Sequence, residues 1–362
     1  MNETNESFAR LEVRSGRGEN GEDKWVDAGP INLDETTATE VTGAFDATCS
    51  DNETTSCRPT KAGRMRNLPP NARRILSPNA KSKGDRRSNY LFKHSSDGTD
   101  TNLLVTLHGA GDTHTSFHRL ARRMDLPQTA ILSIHASSCA NGFTNLPFGL
   151  GCTWFDEMDY STGEPLSENS PRRLATLNRA TEKLVEVLDA LSTVDDIDDT
   201  ETGWQPERIF LFGYSAGACL VMETCLKMMA KGNRPLGGGV CIAGGIKCEI
   251  PLNSVSATTE KGLYKGYTPV LLIVGALDNN FPPSSATKSS KVYKDSYLSL
   301  LQGRPPPIQS MQAPALEPVK LFVKEGKGHS MIGSEEETRA IMEFFSRTLV
   351  RTLPAMEKAT GA

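Results

Sequence analysis

No stretch of eighteen consecutive apolar residues occurs in this 362-residue chain, so the sequence offers no segment that spans a bilayer as a helix. Its first thirty residues, MNETNESFARLEVRSGRGENGEDKWVDAGP, lack the apolar run of a secretory signal, and the expectation is a cytoplasmic protein without an integral membrane segment. Positive charge is not in excess. With 40 Lys and Arg against 44 Asp and Glu, the net charge of −4 provides no general field for polyanions, and nucleic acid is not an expected partner. The eight cysteines include no C-x-x-C pair, and Cys219, Cys225 and Cys241 lie in apolar runs, where a thiol packs as a small hydrophobe. A P-loop is also missing, which argues against nucleotide chemistry.

Large aliphatic residues are scarce up to about residue 88. Acids dominate to residue 60, and the stretch from Lys61 to Arg87 then holds nine Lys or Arg against the single acid Asp85. Such composition buries too little apolar surface to offset its ordering entropy. The expected organisation is therefore a disordered polar arm over 1–88, one α/β domain over 89–353 and a short tail over 354–362. Removing the arm is expected to leave stability unchanged. The basic stretch lacks interleaved aromatics, so a solvated linker is favoured over a surface for lipid or RNA.

From Tyr90 onward, strand-like runs alternate with helix-like ones. NLLVTLHG, AILSIHA, RIFLFG, GGGVCIAGG, PVLLIVG and VKLFVKEG read as buried strands. Between the second and third lies a helix in which Ser170 is placed to cap, Pro171 takes the first position, and Leu174, Leu177, Leu184, Leu188 and Leu191 recur at helical spacing. Further helices are expected after Ser215 and over SEEETRAIMEFFSRTLV. The alternation predicts a mostly parallel sheet with helices on both faces and a site beyond the carboxyl ends of the strands.

One stretch carries the chemistry. RIFLFGYSAGACL sets an apolar run against Gly213-Tyr214-Ser215-Ala216-Gly217 and a helix-compatible continuation. A strained strand-to-helix turn presents a serine Oγ to substrate, and the helix start supplies N–H groups for a developing oxyanion. The spelling alone is weak, with roughly 0.2 chance matches in a chain of this composition, so its strand–turn–helix context has to carry the argument. Of six histidines, His329 alone follows Ser215, as the order Ser, acid, His of α/β hydrolases requires. The acid is then Asp278, at the end of PVLLIVGALD. Ordinary turn or capping roles for the three residues are the competing reading. The backbone N–H groups of Ala110, in LHGAGD, and of Ala216 are the expected oxyanion donors, with His108 a structural prop. His114 and His118, four apart, lack a third ligand and are expected to be solvated helix residues rather than a metal site. No metal and no cofactor is expected.

LHGAGDTHTSF, LPQTAILSIHA, Trp154-Phe155-Asp156, GWQPERIFLFGYSAG, the Gly275 to Asp278 turn and Gly328-His329 occur in an order that resembles the phospholipase/carboxylesterase family of α/β hydrolases, which includes the acyl-protein thioesterases. The likeness runs from about Asn102 to Val350. It implies an α/β-hydrolase fold, Ser215, Asp278 and His329 as the triad, and Trp154 and Phe155 on the acyl-binding side. The chain departs from the family by placing Ala216 where Gln often follows the nucleophile, and by a long insert over 297–318, a lid or a tolerated loop. NGFTNLPFGLGCTWF carries Phe143, Leu146, Phe148 and Leu150 besides the Trp-Phe pair, either as an acyl groove or as a plug of the core. The expected function is hydrolysis of carboxylic esters or thioesters, with a lipid or an acylated protein as the substrate class. The alternatives are a polyester- or feruloyl-type esterase and a catalytically weak hydrolase fold serving as an interaction module.

Overall fold

The computed structural model describes residues 12–17, 23–27, 65–77, 89–136, 151–159, 161–193, 196–197, 200–230, 234–246, 267–301 and 317–351. The chain divides into two compact units, Met1–Arg58 and Pro59–Ala362. In the first, strands β1 (Glu12–Arg17) and β2 (Asp23–Asp27) pair antiparallel, with Val13 opposite Val26 and an irregularity between Arg14 and Gly16. Gly16, Gly18 and Gly21 spell G-x-G-x-x-G, but the strands flanking that spelling are antiparallel neighbours, not a strand leading into a helix, so it lacks the dinucleotide-binding context.

The second unit runs α1 (Pro70–Leu76), β3 (Tyr90–Lys93), β4 (Asn102–Leu107), α2 (His114–Met124), β5 (Thr129–Ile134), α3 (Pro171–Leu191), the short pair β6 (Asp196–Ile197) and β7 (Thr200–Glu201), β8 (Ile209–Tyr214), α4 (Ala216–Ala230), β9 (Gly238–Ile242), β10 (Val270–Gly275), α5 (Pro283–Leu301), β11 (Val319–Lys324) and α6 (Glu335–Thr348). Seven strands form one sheet in the order β11-β10-β9-β8-β4-β5-β3. All pairs are parallel except β3 with β5.

The apolar runs are continuous because both faces are covered. Every residue of β4, β5 and β10 is buried. Strand side chains alternate between faces. Leu103, Val105, Leu107, Leu211, Leu272 and Val274 pack with Leu177, Leu184 and Leu188 of α3 and Val221 and Met222 of α4. Leu104, Phe210, Phe212, Leu271 and Ile273 pack instead with Phe117 of α2 and Ile341, Phe344 and Phe345 of α6. Burying one such side chain contributes about 1.5–3 kcal/mol, so the two layers fix the sheet rigidly. Ser170 sits at the cap position of α3 with Pro171 behind it, but its hydroxyl makes no capping bond, and its carbonyl accepts from Leu174 instead. Among the described residues no helix is long and apolar enough to cross a membrane.

The expected boundary at residue 88 is corrected. Leu68, Ala72 and Leu76 are buried in the same layer as Leu103 and Leu177, with Leu76 at 0% exposure. The Arg66 N–H donates to Asp100 Oδ2 at 2.8 Å, and its guanidinium to the Gly203 carbonyl at 2.9 Å. Asp100 also accepts from the Ser95 N–H at 2.9 Å, and its carbonyl accepts from Trp204 Nε1 at 3.0 Å. Residues 65–76 therefore belong to the second unit. Composition averaged over 88 residues concealed them, because α1 turns Arg73 and Arg74 to solvent and only a narrow stripe inward. Much of the remaining expected arm, the tail over 354–362, and positions 302–316 of the insert lie outside the described residues.

Leu76→Ala is expected to destabilise the protein by about 2–5 kcal/mol, the usual cost of such a cavity. Urea unfolding of the full chain measures it, and a loss under about 0.5 kcal/mol would contradict the place of this segment in the core.

Candidate active site

Four segments leave the carboxyl ends of parallel strands on one edge of the sheet: His108 to Gly111 after β4, Ser215 after β8, Ala276 to Asp278 after β10, and Glu325 to His329 after β11. The topology alone therefore gathers the expected site residues on one rim.

Ser215 stands between β8 and α4 with φ of 52°, a left-handed conformation that a residue with a Cβ adopts only at a cost of about 1–3 kcal/mol. Its N–H donates to the Ile242 carbonyl at 2.9 Å, and its carbonyl accepts from Cys219 at 3.0 Å. Both flanking glycines are required sterically. A Cβ on Gly213 would strike the Gly217 carbonyl, and one on Gly217 would strike the carbonyls of Leu107 and His108. Strand β8, helix α4 and the end of β4 thus touch backbone to backbone.

His329 Nε2 lies 2.9 Å from Ser215 Oγ, and His329 Nδ1 lies 3.0 and 2.9 Å from the two oxygens of Asp278. The carboxylate is fully buried and the imidazole 21% exposed. Because Asp278 accepts, the proton belongs on Nδ1, which leaves Nε2 to accept from the serine hydroxyl. Asp278 is held by its own turn: Oδ1 accepts from Asn280 N–H at 2.9 Å and Phe281 N–H at 2.8 Å. The Tyr214 hydroxyl donates to the His329 carbonyl at 3.2 Å; burial, then the nearby Asp278 and Asp112 carboxylates, push its phenol up, so it stays a donor at neutral pH.

Ala216 is the first residue of α4 and Ala110 lies on an exposed turn. Among the described residues neither backbone N–H has a protein acceptor. The Ala110 turn is braced from behind. Gly111 N–H donates to the Cys152 carbonyl at 3.0 Å, and Trp154 Nε1 to the His108 carbonyl at 2.7 Å. The His108 imidazole is buried; Nε2 accepts from Ala136 N–H at 3.0 Å, and Nδ1 faces the Gly109 carbonyl at 2.7 Å. One nitrogen donates and the other accepts, so the ring is neutral, and burial drives its pKa down to about 4.

The expected substrate-side position of Trp154 and Phe155 is not observed. Both are 0% exposed within the core layer of α3 and α4; Trp154 packs at a tilt against His108 with ring centres 5.1 Å apart, and the Arg173 guanidinium lies 5.1 Å over Phe155. They form the wall behind the Ala110 turn, because the indole N–H finds its acceptor inside, at His108. Phe143, Leu146, Phe148 and Leu150 lie outside the described residues. Of His114 and His118, only the second keeps part of its surface in solvent. His114 is buried, edge-on to His135 with ring centres 5.0 Å apart, and His118 Nδ1 lies 3.2 Å from Ser133 Oγ. Sequence reasoning passed over Lys327 and Glu337, a buried ion pair beside the histidine turn, although Ser334 to Glu337 is a capping-box spelling.

The His108 pKa, below its ordinary 6.5, means that the unfolded state binds the extra proton first. The stability this group contributes is full above pH 6.5 and is lost as pH falls toward 4. The advantage of wild type over His108→Gln is expected to shrink by up to about 3 kcal/mol between pH 7 and pH 4, read from urea midpoints. A pH-independent difference would contradict the neutral, buried ring.

Residues 89–306 match the family described as Phospholipase/Carboxylesterase. An uncharacterised hydrolase of Mycosarcoma maydis is 32% identical over 180 residues, 49% of this chain and 62% of the relative. An uncharacterised hydrolase of Schizosaccharomyces pombe is 26% identical over 157 residues, 42% of this chain and 56% of the relative. The matched part of the chain thus spans less than two thirds of either relative. The crystal structure of acyl-protein thioesterase 2 from Zea mays, 19% identical, covers 72% of this chain and 99% of its own with a TM-score of 0.50, a likeness of fold. With more than half of its length matched to the family, and the α/β-hydrolase sheet beneath, this chain belongs to the phospholipase/carboxylesterase family.

Proposed function

We propose that the protein is a serine hydrolase that cleaves carboxylic esters or thioesters through an acyl-enzyme. The observation that carries this reading is the relay Asp278–His329–Ser215, with contacts of 2.9 Å on each side of the imidazole. Ser215 Oγ attacks the carbonyl carbon while His329 Nε2 takes the hydroxyl proton, and Asp278 stabilises the imidazolium. The carbonyl oxygen becomes an oxyanion that the Ala110 and Ala216 N–H groups receive, each such donor worth about 3 kcal/mol in the transition state. The bond to the leaving oxygen or sulfur then breaks, and His329 returns the proton to that atom. Water repeats the cycle on the acyl-serine: His329 takes its proton, the tetrahedral adduct collapses, and the carboxylic acid and free Ser215 are regenerated. No step needs a cofactor. A lipid or an acylated protein is the substrate class that fits this chemistry.

Ser215→Ala is expected to lower kcat by roughly 10⁶ while leaving the melting temperature close to wild type, and to abolish labelling by a fluorophosphonate. Hydrolysis of p-nitrophenyl acetate above a few per cent of wild type in the purified variant would reject the assignment.

Trp154→Ala removes a brace of the Ala110 turn and no open groove. Its kcat/KM is therefore expected to fall by a similar factor for acetyl and octanoyl esters. A loss at least tenfold greater for octanoyl would return Trp154 to the acyl-binding side.

A further inference from the structure

His329 rides on a turn that is fastened at both ends by one carboxylate. Glu337, on the first turn of α6 and 1% exposed, takes Lys327 Nζ on its Oε1, and the lysine side chain is 7% exposed. Its other oxygen accepts from the Gly333 N–H and from the Ser334 hydroxyl, each at 3.0 Å. Lys327 lies two residues before the imidazole and Gly333 four residues after it. The clasp also reaches the acid, because the Lys327 carbonyl accepts from the Leu277 N–H at 2.8 Å, next to Asp278.

We propose that Glu337 is a positioning residue for hydrolysis: gripping Lys327 and Gly333 together, it holds the His329 ring at once within reach of Asp278 and Ser215. The proposal rests on the reading of His329 as the base.

The chemistry of the pair suits that task. Burial would push the Glu337 carboxyl up, but the bonds from Lys327, Gly333 and Ser334 outweigh it and hold the group below its ordinary value, charged at neutral pH. A buried ion pair of this kind adds little net stability against a well-packed apolar pair, yet it fixes geometry once its remaining atoms are bonded. A helix cap needs only Ser334, whose hydroxyl accepts from the Glu337 N–H at 3.3 Å. The reach to Lys327 goes beyond what capping requires.

Glu337→Gln keeps the size and one acceptor but removes the charge. In the full-length protein it is expected to lower kcat for p-nitrophenyl acetate at least tenfold, leave KM within twofold, and shift the acid limb of the pH–rate profile. Glu337→Asp is expected to recover part of the rate. Lys327→Met should reproduce the kcat loss, and Lys327→Met combined with Glu337→Gln should be no worse than either single change. Glu335→Gln, in an exposed pair with Arg339 on the same helix, is the control and should match wild type. An unchanged pH–rate profile, with activity lost only in proportion to folded protein in both Glu337→Gln and Lys327→Met, overturns the proposal. Failure of the underlying reading is seen separately, as wild-type protein that does not react with a fluorophosphonate or as an active Ser215→Ala.

Discussion

The molecule is organised around a backbone contact without side chains. Where β8 passes into α4, Gly217 presses on the carbonyls of Leu107 and His108, and Gly213 presses on Gly217. Three main-chain segments meet at distances that admit no Cβ, and the serine between the glycines is left in the left-handed region. Two consequences follow. The serine hydroxyl reaches His329 Nε2 at 2.9 Å, and the first turn of α4 is fixed against the end of β4. The N–H groups of Ala216 and Ala110 therefore belong to one rigid junction, not to two independent loops.

That junction sets what the surrounding residues have to do. The His108 carbonyl, crowded by Gly217, is also the acceptor for Trp154 Nε1, and the His108 ring bonds to the backbone on both sides. The tryptophan goes inward because its one polar atom is satisfied there, and Phe155 follows it under Arg173. The rim that bears the histidine is built differently. Glycines lead up to His329, and rigidity there comes from Tyr214, from the Leu277–Lys327 backbone bond and from the Glu337 clasp.

Long apolar runs made the six parallel strands legible, since a strand buried on both faces is written in consecutive Val, Ile, Leu and Phe. Their common direction brings Ser215, Asp278 and His329 to one edge of the sheet. Strand β3, only Tyr90 to Lys93, was missed because it is short, antiparallel and half-exposed. Helix α2 was expected around His114 and His118, but its inward stripe was not, because HTSFHRLARRM sets Phe117, Leu120 and Ala121 among bases and histidines. Serines and lysines dilute α5 in the same way. The inward stripe of residues 65–76 was lost in the polar composition around it. The misplacement of Trp154 has another cause: an apolar side chain near a site reads the same whether it faces substrate or core, and only the partner of its indole N–H decides. Glu337 was hidden among three consecutive acids, of which it alone turns inward.

Two buried titratable groups, one on the turn after β4 and one on α4, have opposite effects. His108 stabilises the fold above pH 6.5 and loses that contribution as pH falls toward 4. Glu223, on the helix that follows Ser215, is pushed up to about 7, first by burial, with Arg173 and Lys227 drawing it back. A carboxyl raised in the folded state contributes stability below about pH 4.5 that is lost as pH rises through 7. The two groups therefore work in opposite senses across the acid range, and the pH dependence of one offsets that of the other.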